Sequence, residues 1–376
     1  MGLPIMSWGD AVLRLDDFDV FVTANELSVP DIIGTLLALG ISEDRILNYE
    51  PVEKRMGCGF AETFLDIATY GDGLELYCCI QSETGTKTFC DELPKIRVAH
   101  NKFDDSSLAD FLCFRNQIAD NIKTGIFSNK CQNCNAIANK YYFSNRKIRS
   151  ITLGGDGPCN FSCMDCGHLH NARYQHESPF SEIKSTIPVI ERVVGCGLDT
   201  RIVLTAGEFS VSDEGNELLE LLNNYHVALY SNAYRWSDAT ARSLGAGKAY
   251  LYTSVDAGTR ETFYRIKGVD AFDTVCGNLR EYSKCGIVVL KYIVFEGIND
   301  NYKDINGFFE LADAIATRVV IARNIYHGNT FYSESTLQKI VYFIKHFRNN
   351  KKMGSLVGFV REHRQIDRIL EEHENE

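Results

Sequence analysis

A chain of 376 residues, 45% apolar and 24% charged, has the length for two or three domains and the composition of an ordinary soluble globular protein. Its net charge of −11 argues against a nucleic-acid partner, because extended binding to a phosphate backbone needs clustered Lys and Arg. No apolar run approaches the ~20 residues of a membrane span, and MGLPIMSWGDAVLRLDDF lacks the basic and apolar segments of a signal peptide, so the expected location is cytoplasmic, with no membrane partner.

The first predicted elements are a strand at DVFVTA (Asp19–Ala24), a helix near Pro30–Leu39 and a strand at RILNYE (Arg45–Glu50), together one β-α-β unit within residues 1–55. Residues 56–145 are turn-rich and carry cysteines; YGDG separates two strand-like runs there and predicts a hairpin. From about Arg149, β-branched runs alternate with helical ones. Strands are expected at Ser150–Gly154, Arg201–Thr205, His226–Tyr230, Ala249–Ser254, Ile287–Val294 and Arg318–Ala322, each apolar enough for burial on both faces.

Helices are expected between them at Ser181–Val194, with Pro188 implying a kink, and at Asn216–Leu222, Phe272–Lys284 and Ile305–Ala316. Six alternations predict an α/β fold with a parallel sheet over residues 146–325. Such sheets gather their sites at the C-terminal ends of the strands. Residues 326–376 read as a helical extension, with Leu337, Ile340, Val341, Phe343, Ile344 and Phe347 forming an apolar stripe.

Thirteen cysteines without an export signal point to metal or redox chemistry more than to disulfides. GPCNFSCMDCGH follows the first strand of the alternating region and sets Cys159, Cys163 and Cys166 within eight residues. Three thiolates hold three irons of a [4Fe-4S] cluster and leave the fourth open to another ligand. The alternative is zinc on Cys163, Cys166, His168 and His170, although His-x-His is tighter than the usual zinc spacing. In that case the chain is a non-catalytic zinc-binding interaction module. Cys90, Cys113, Cys196, Cys276 and Cys285 read as buried small apolar residues. The Gly-x-Gly pairs at Gly57, Gly195 and Gly245 do not complete a dinucleotide fingerprint.

Cys-x3-Cys-x2-Cys after the first strand resembles the radical S-adenosylmethionine (radical SAM) superfamily, whose fold is a partial (β/α)6 TIM-type barrel. Further signatures follow in order over about Lys147 to Asn324. LTAGEFS resembles the Gly-Gly-Glu motif, with Ala206 for the first glycine; the resemblance gives Gly207 a close backbone approach to the cofactor and Glu208 the cofactor's ammonium group. LYSNAY resembles the Ser-Asn-Gly segment and implies that Ser231 and Asn232 lie near the methionine and ribose. TSVDAGT resembles the run of the branch with auxiliary clusters and implies cofactor roles for Ser254 and Asp256. Asp165 departs from the usual aromatic residue before the third cysteine.

Upstream, Phe111–Cys134 resembles the helix and Cys-x2-Cys of SPASM/twitch auxiliary domains. The expected auxiliary [4Fe-4S] cluster uses Cys58, Cys78, Cys131 and Cys134, with Cys79 as the alternate to Cys78 and a four-cysteine zinc knot as the alternative. Residues 1–55 resemble the second half of a small Rossmann-like domain found beside sugar- and glycan-modifying proteins, whose missing first half implies a truncation or a late start; a β-α-β lid packed on the auxiliary domain is the alternative. The implied function is reductive cleavage of S-adenosylmethionine and hydrogen abstraction from a sugar, nucleotide sugar or glycan precursor. A peptide-modifying maturase is the alternative. An electron donor such as flavodoxin or ferredoxin is the implied partner.

Overall fold

The computed structural model describes residues 20–21, 46–47, 52–70, 73–77, 95–99, 102–127, 131, 137–143, 146–155, 157–164, 166, 179–195, 200–324, 331–357, 359 and 362–374. Strands β1 (Val20–Phe21) and β2 (Ile46–Leu47) pair in parallel. Parallel pairing requires a crossover, as a β-α-β unit supplies; the helix expected at Pro30–Leu39 lies outside the described residues. Then come β3 (Val52–Cys58), α1 (Gly59–Thr63), β4 (Phe64–Tyr70), β5 (Gly73–Tyr77), β6 (Lys95–Ala99), α2 (Asp105–Lys123) and β7 (Ile137–Phe143).

The alternating region begins with β8 (Ser150–Gly155), α3 (Pro179–Val194), β9 (Arg201–Leu204), α4 (Asp213–Leu221), β10 (His226–Tyr230) and α5 (Asp238–Gly245). It continues with β11 (Ala249–Ser254), α6 (Arg260–Lys267), α7 (Phe272–Cys285), β12 (Ile287–Val294), α8 (Tyr302–Ile315) and β13 (Arg318–Arg323). The tail holds α9 (Glu334–Asn349), β14 (Met353–Val357) and α10 (His363–Glu374). Helix α3 runs unbroken through Pro188.

Two compact units divide the chain: Met1–Phe64 with Asp110–Arg149, and Leu65–Ala109 with Ser150–Glu376. The division cuts across the expected 56–145 domain because β4, β5 and β6 extend the edge of the large sheet beside β8. In the first unit β3 and β7 pair antiparallel from Val52 opposite Phe143 to Cys58 opposite Ile137. Ala119 and Ile122 of α2 pack with Cys58 and Ala61 in a small apolar cluster. Arg55 and Glu62 form a buried ion pair nearby.

In the second unit ten strands form one sheet, ordered β14-β13-β12-β11-β10-β9-β8-β4-β5-β6. Strands β8 to β14 pair with one another in parallel. The expected hairpin is present as β4 and β5, with Asp66 opposite Tyr77 and Tyr70 opposite Gly73. The tail departs from its helical expectation: Met353–Val357 joins the sheet beside β13 as a seventh parallel strand.

The two faces of this sheet differ, which the apolar runs did not foretell. Residues on one face, among them Leu153, Ile202, Leu229, Leu251, Leu290 and Ile321, are buried, and Leu153 and Ile202 line a small apolar cavity with Ile187 and Ile190 of α3. Tyr292, on the same face, packs between Phe308 of α8 and Phe343 of α9 at ring separations of 4.8 and 4.7 Å. Each such large side chain removed from water contributes ~1.5–3 kcal/mol. The other face alternates and is wetter. It carries Tyr230, Tyr252, Ser254 and Lys291, placed together by the register Tyr230 opposite Tyr252 and Ser254 opposite Lys291, and Tyr230 stacks on Tyr252 at 5.0 Å.

Side-chain caps fix where helices start. Ser212, Ser237, Thr259, Asn301 and Ser333 each accept from the backbone N–H three residues on, an arrangement that contributes ~1 kcal/mol per helix. These starts all follow the C-terminal end of a strand, so they also set the loops that carry the motifs.

Candidate cofactor site

The cysteine loop leaves the C-terminal end of β8 and is held from three sides. At its start Gly157 lies against Gly207: a Cβ on Gly207 would stand 2.5 Å from the Gly157 carbonyl carbon, and Gly207 has φ 48° in the left-handed region. Gly207 thus makes a close backbone approach to the cysteine loop. The N–H of Glu208 then donates to the Pro158 carbonyl at 2.9 Å. In the middle Phe161 is buried between Tyr234 and Phe263, with both ring separations 5.9 Å. At its far side Ser162 and Met164 donate their N–H groups to the carbonyls of Lys267 (3.0 Å) and Ile266 (2.9 Å) at the end of α6.

The thiols of this loop are accessible. Cys159 is exposed, Cys163 and Cys166 are half-buried, and the N–H of Cys166 closes a turn on the Cys163 carbonyl at 3.2 Å. Surrounding protein pushes the Cys159 thiol above its ordinary range, while the Phe161 N–H and the Asn232 amide pull it down. Binding to a metal therefore has to release a proton there. Asn232 Nδ2 lies 3.7 Å from Cys159 Sγ and donates to Asn160 Oδ1 at 2.7 Å. The buried Nδ2 of Asn160 has no hydrogen-bond partner in the structure, a donor that a bound polar group would satisfy.

Glu208 joins three strand-end motifs. Its carboxylate is 1% exposed and accepts from the Asn232 N–H (2.6 Å), Ser231 Oγ (2.8 Å), Ser210 Oγ (2.7 Å) and the Ser210 N–H (3.3 Å). Burial raises its pKa; the bonds from Asn232, Ser210 and Ser231 act in the opposite direction. Ala233, where the resembled motif has glycine, has φ 57° and is fully buried, which explains physically why glycine suits that position. Ser254 ends β11 half-buried. Asp256 is fully buried and pairs with Lys267 at 2.5 Å, so its carboxylate serves the protein's interior.

The structure thus brings Cys159, Gly207, Glu208, Ser231 and Asn232 together, with Cys163 and Cys166 farther along the same loop. Asn160, Phe161 and the end of α6 were missed by sequence reasoning; the polar and aromatic residues between the cysteines of PCNFSC were their only local signal. Among the described residues no three His, Cys, Asp or Glu side chains are gathered closely enough to hold a single metal ion. His168, His170 and Asp165 lie outside the described residues. The donor set fits a cluster: three thiols on one short loop, a buried carboxylate behind them and an unsatisfied amide between.

The second cysteine set lies partly outside the described residues, which exclude Cys78, Cys79 and Cys134. Cys58 does not belong to the β4–β5 hairpin; α1 separates it, and its strand pairs with β7 instead. That pairing sets Cys58 opposite Ile137, three positions after Cys134 in the chain. Cys131 is half-buried. Of the cysteines expected in the core, Cys276 is buried, but Cys113 is exposed on α2 and Cys285 half-buried at the end of α7; Cys90 and Cys196 lie outside the described residues.

A cysteine loop and a buried glutamate at the C-terminal ends of successive parallel strands are the arrangement that the radical SAM resemblance implies, and the comparisons with known proteins support that superfamily. It is 26% identical over 178 residues to a probable GTP 3',8-cyclase of Saccharolobus islandicus, covering 46% of this chain and 56% of that protein. It is also 26% identical over 182 residues to the GTP 3',8-cyclase of Pasteurella multocida, covering 46% and 50%. The chain spans about half the length of the curated relatives it matches. Among solved structures, Streptococcus suis SuiB bound to its precursor peptide SuiA is similar with a TM-score of 0.45 and 11% identity over 80% of this chain and 72% of that one. No family model matches. Among the described residues no helix is long and apolar enough to cross a membrane.

Proposed function

We propose that this chain is a radical SAM enzyme that acts on a sugar-containing small molecule. Cys159, Cys163 and Cys166 are the residues that would hold a [4Fe-4S] cluster, and Glu208, Ser231 and Asn232 the ones that would hold S-adenosylmethionine. When bound, these groups would supply one-electron reductive cleavage of S-adenosylmethionine and, through it, hydrogen-atom abstraction from the substrate. The observation that carries this reading is the convergence on Glu208, whose carboxylate accepts from Asn232 and Ser231 while its own N–H binds the cysteine loop.

The protein's part is binding, orientation and exclusion of water. Gly207 and Gly157 bring the second strand end against the loop, and Glu208 keeps a carboxyl fixed where an ammonium group can share it. No side chain has to move a proton. The sheet, read as a partial (β/α)6 barrel, has a wetter face on which Tyr230, Tyr252, Ser254 and Lys291 provide a ring surface, a hydroxyl and a cation. Those groups suit a sugar bearing an anionic or planar appendage, as a nucleotide sugar does. The likeness to GTP 3',8-cyclases, whose name specifies a nucleotide, supports the same class.

A second cluster on Cys58, Cys78, Cys131 and Cys134, with Cys79 as the alternate to Cys78, belongs to the proposal and is supported by the pairing of β3 with β7. The electron comes from a small donor of the flavodoxin or ferredoxin kind. The deciding experiment is done on protein purified without oxygen: iron and sulfide are assayed, dithionite and S-adenosylmethionine added, and 5′-deoxyadenosine sought by chromatography. About eight irons per chain, as two four-iron clusters require, with deoxyadenosine formed, supports the two-cluster radical SAM reading. Zinc instead of iron and no deoxyadenosine after cluster reconstitution refutes it.

A further inference from the structure

Asp256 belongs to a strand-end motif, yet its side chain is taken up inside the protein. Oδ2 lies 2.5 Å from Lys267 Nζ, and the two side chains are 0% and 6% exposed. Oδ1 accepts from the Ile293 N–H at 2.6 Å. Asn299 Nδ2 donates to the carbonyls of both Asp256 and Ile293 at 2.8 Å. Asp256 also has φ 58°, a conformation that a residue other than glycine keeps only where its surroundings over-determine it.

Lys267 is the last residue of α6, and the final carbonyls of a helix have no partner within it. Here the cysteine loop supplies those partners: Ser162 N–H binds the Lys267 carbonyl and Met164 N–H the Ile266 carbonyl, one bond on each side of Cys163. Gly268 follows with φ 71°, and a Cβ there would stand 2.7 Å from the Ser162 carbonyl oxygen. The chain of contact therefore runs from β12 through Asp256 and Lys267 to the backbone around Cys163.

We propose that Asp256 and Lys267 are positioning residues for the cysteine loop: their buried ion pair holds the end of α6 where its carbonyls fix the backbone on both sides of Cys163. A buried charge that loses its partner is strongly unfavourable, whereas loss of both charges with volume kept is well tolerated. The pair is thus suited to be all or nothing. This inference rests on the reading of Cys159, Cys163 and Cys166 as cluster ligands.

The test uses the full chain without its cluster, by hydrogen–deuterium exchange read in peptides spanning residues 158–166 and 260–268. Asp256→Asn, in which Asn tolerates a left-handed φ, and Lys267→Met should each speed exchange in 158–166 by about tenfold or more. The double variant should return it toward the wild-type rate. Leu279→Ala, a fully buried truncation in α7, controls for stability lost elsewhere. Faster exchange confined to 260–268, or an equal effect from Leu279→Ala in 158–166, overturns the proposal.

If a single variant does not fold, Gly268→Ala takes its place, since it perturbs the same junction from the Ser162 side; unchanged exchange in 158–166 there also overturns the proposal. In the cluster-loaded chain, the single variants should lose iron to a chelator faster than wild type and the double variant should not. Exchange in the cluster-free chain decides the coupling even if the wild type binds no cluster. In that case the proposed function fails separately.

Discussion

Glu208→Gln tests the site at its centre. In Glu208 one oxygen takes the Asn232 N–H and the other takes Ser231 Oγ, Ser210 Oγ and the Ser210 N–H. A glutamine can keep its oxygen on Asn232 and give its NH2 to the two hydroxyls, which rotate to accept; what it loses is the long bond from the Ser210 N–H. One neutral hydrogen bond corresponds to ~1 kcal/mol. Glutamine is therefore expected to cost about 1 kcal/mol where the native carboxyl is protonated.

At higher pH the comparison changes. Burial raises the Glu208 pKa above its ordinary 4.5, so the folded chain holds this proton to a higher pH than the unfolded chain does. The stability this group contributes is complete below about 4.5 and is lost as pH rises through its folded value. Each unit of pH inside that window removes ~1.4 kcal/mol from the native chain and nothing from the glutamine variant. The stability gap should shrink as pH rises. Denaturant melts of the cluster-free chain in a Trp8→Phe background would show it, because Trp236 then reports alone from its stack on Tyr282, 4.4 Å away in the same unit as Glu208. A gap that widens with pH would mean that the charged carboxylate is the stabilised form, and the reasoning from burial would be wrong.

Four further outcomes follow from the same geometry. Cys163→Ala should abolish deoxyadenosine formation and lower bound iron from about eight to about four per chain, because the second cysteine set is left intact. Gly207→Ala forces a Cβ to 2.5 Å from Gly157 at φ 48°; it should cost more than ~1 kcal/mol and show as a lower melting temperature of the cluster-free chain. Ala233→Gly should stabilise by up to ~1 kcal/mol, since alanine pays a steric cost at φ 57° that glycine does not; a lower melting temperature would contradict this. Phe161→Ala empties the site between Tyr234 and Phe263 and should cost ~3–5 kcal/mol by calorimetry.

Much of the parallel sheet could be read from the chain, because a strand in such a sheet is a short apolar run with a turn at each end. Strand β14 could not: MGSLV is brief, two of its five residues are glycine and serine, and two lysines precede it. Its place depends on pairing with β13, a contact no local pattern records. The same limit explains the wet face of the sheet. Tyr250, Tyr252 and Ser254 sit at every second position of β11, but tyrosine counts as apolar in a run, so alternation was hidden in an apparently continuous stretch.

The candidate site divides along the same line. The cysteine spacing was legible because all three ligands lie on one loop, and Glu208 was legible because a motif surrounds it. Gly207 was recognised, but not its partner, since Gly157 lies fifty residues earlier and the reason for a glycine is the atom it meets. Asp256 shows the converse. Its motif marks the residue without stating its use, and the use is defined by Lys267, eleven residues on, and Ile293 on the next strand. A motif at a strand end can thus be retained for the loop it steadies as much as for the ligand it touches, and only the destination of the side chain separates the two. For Asp256 that destination is a lysine whose own carbonyl holds the cysteine loop.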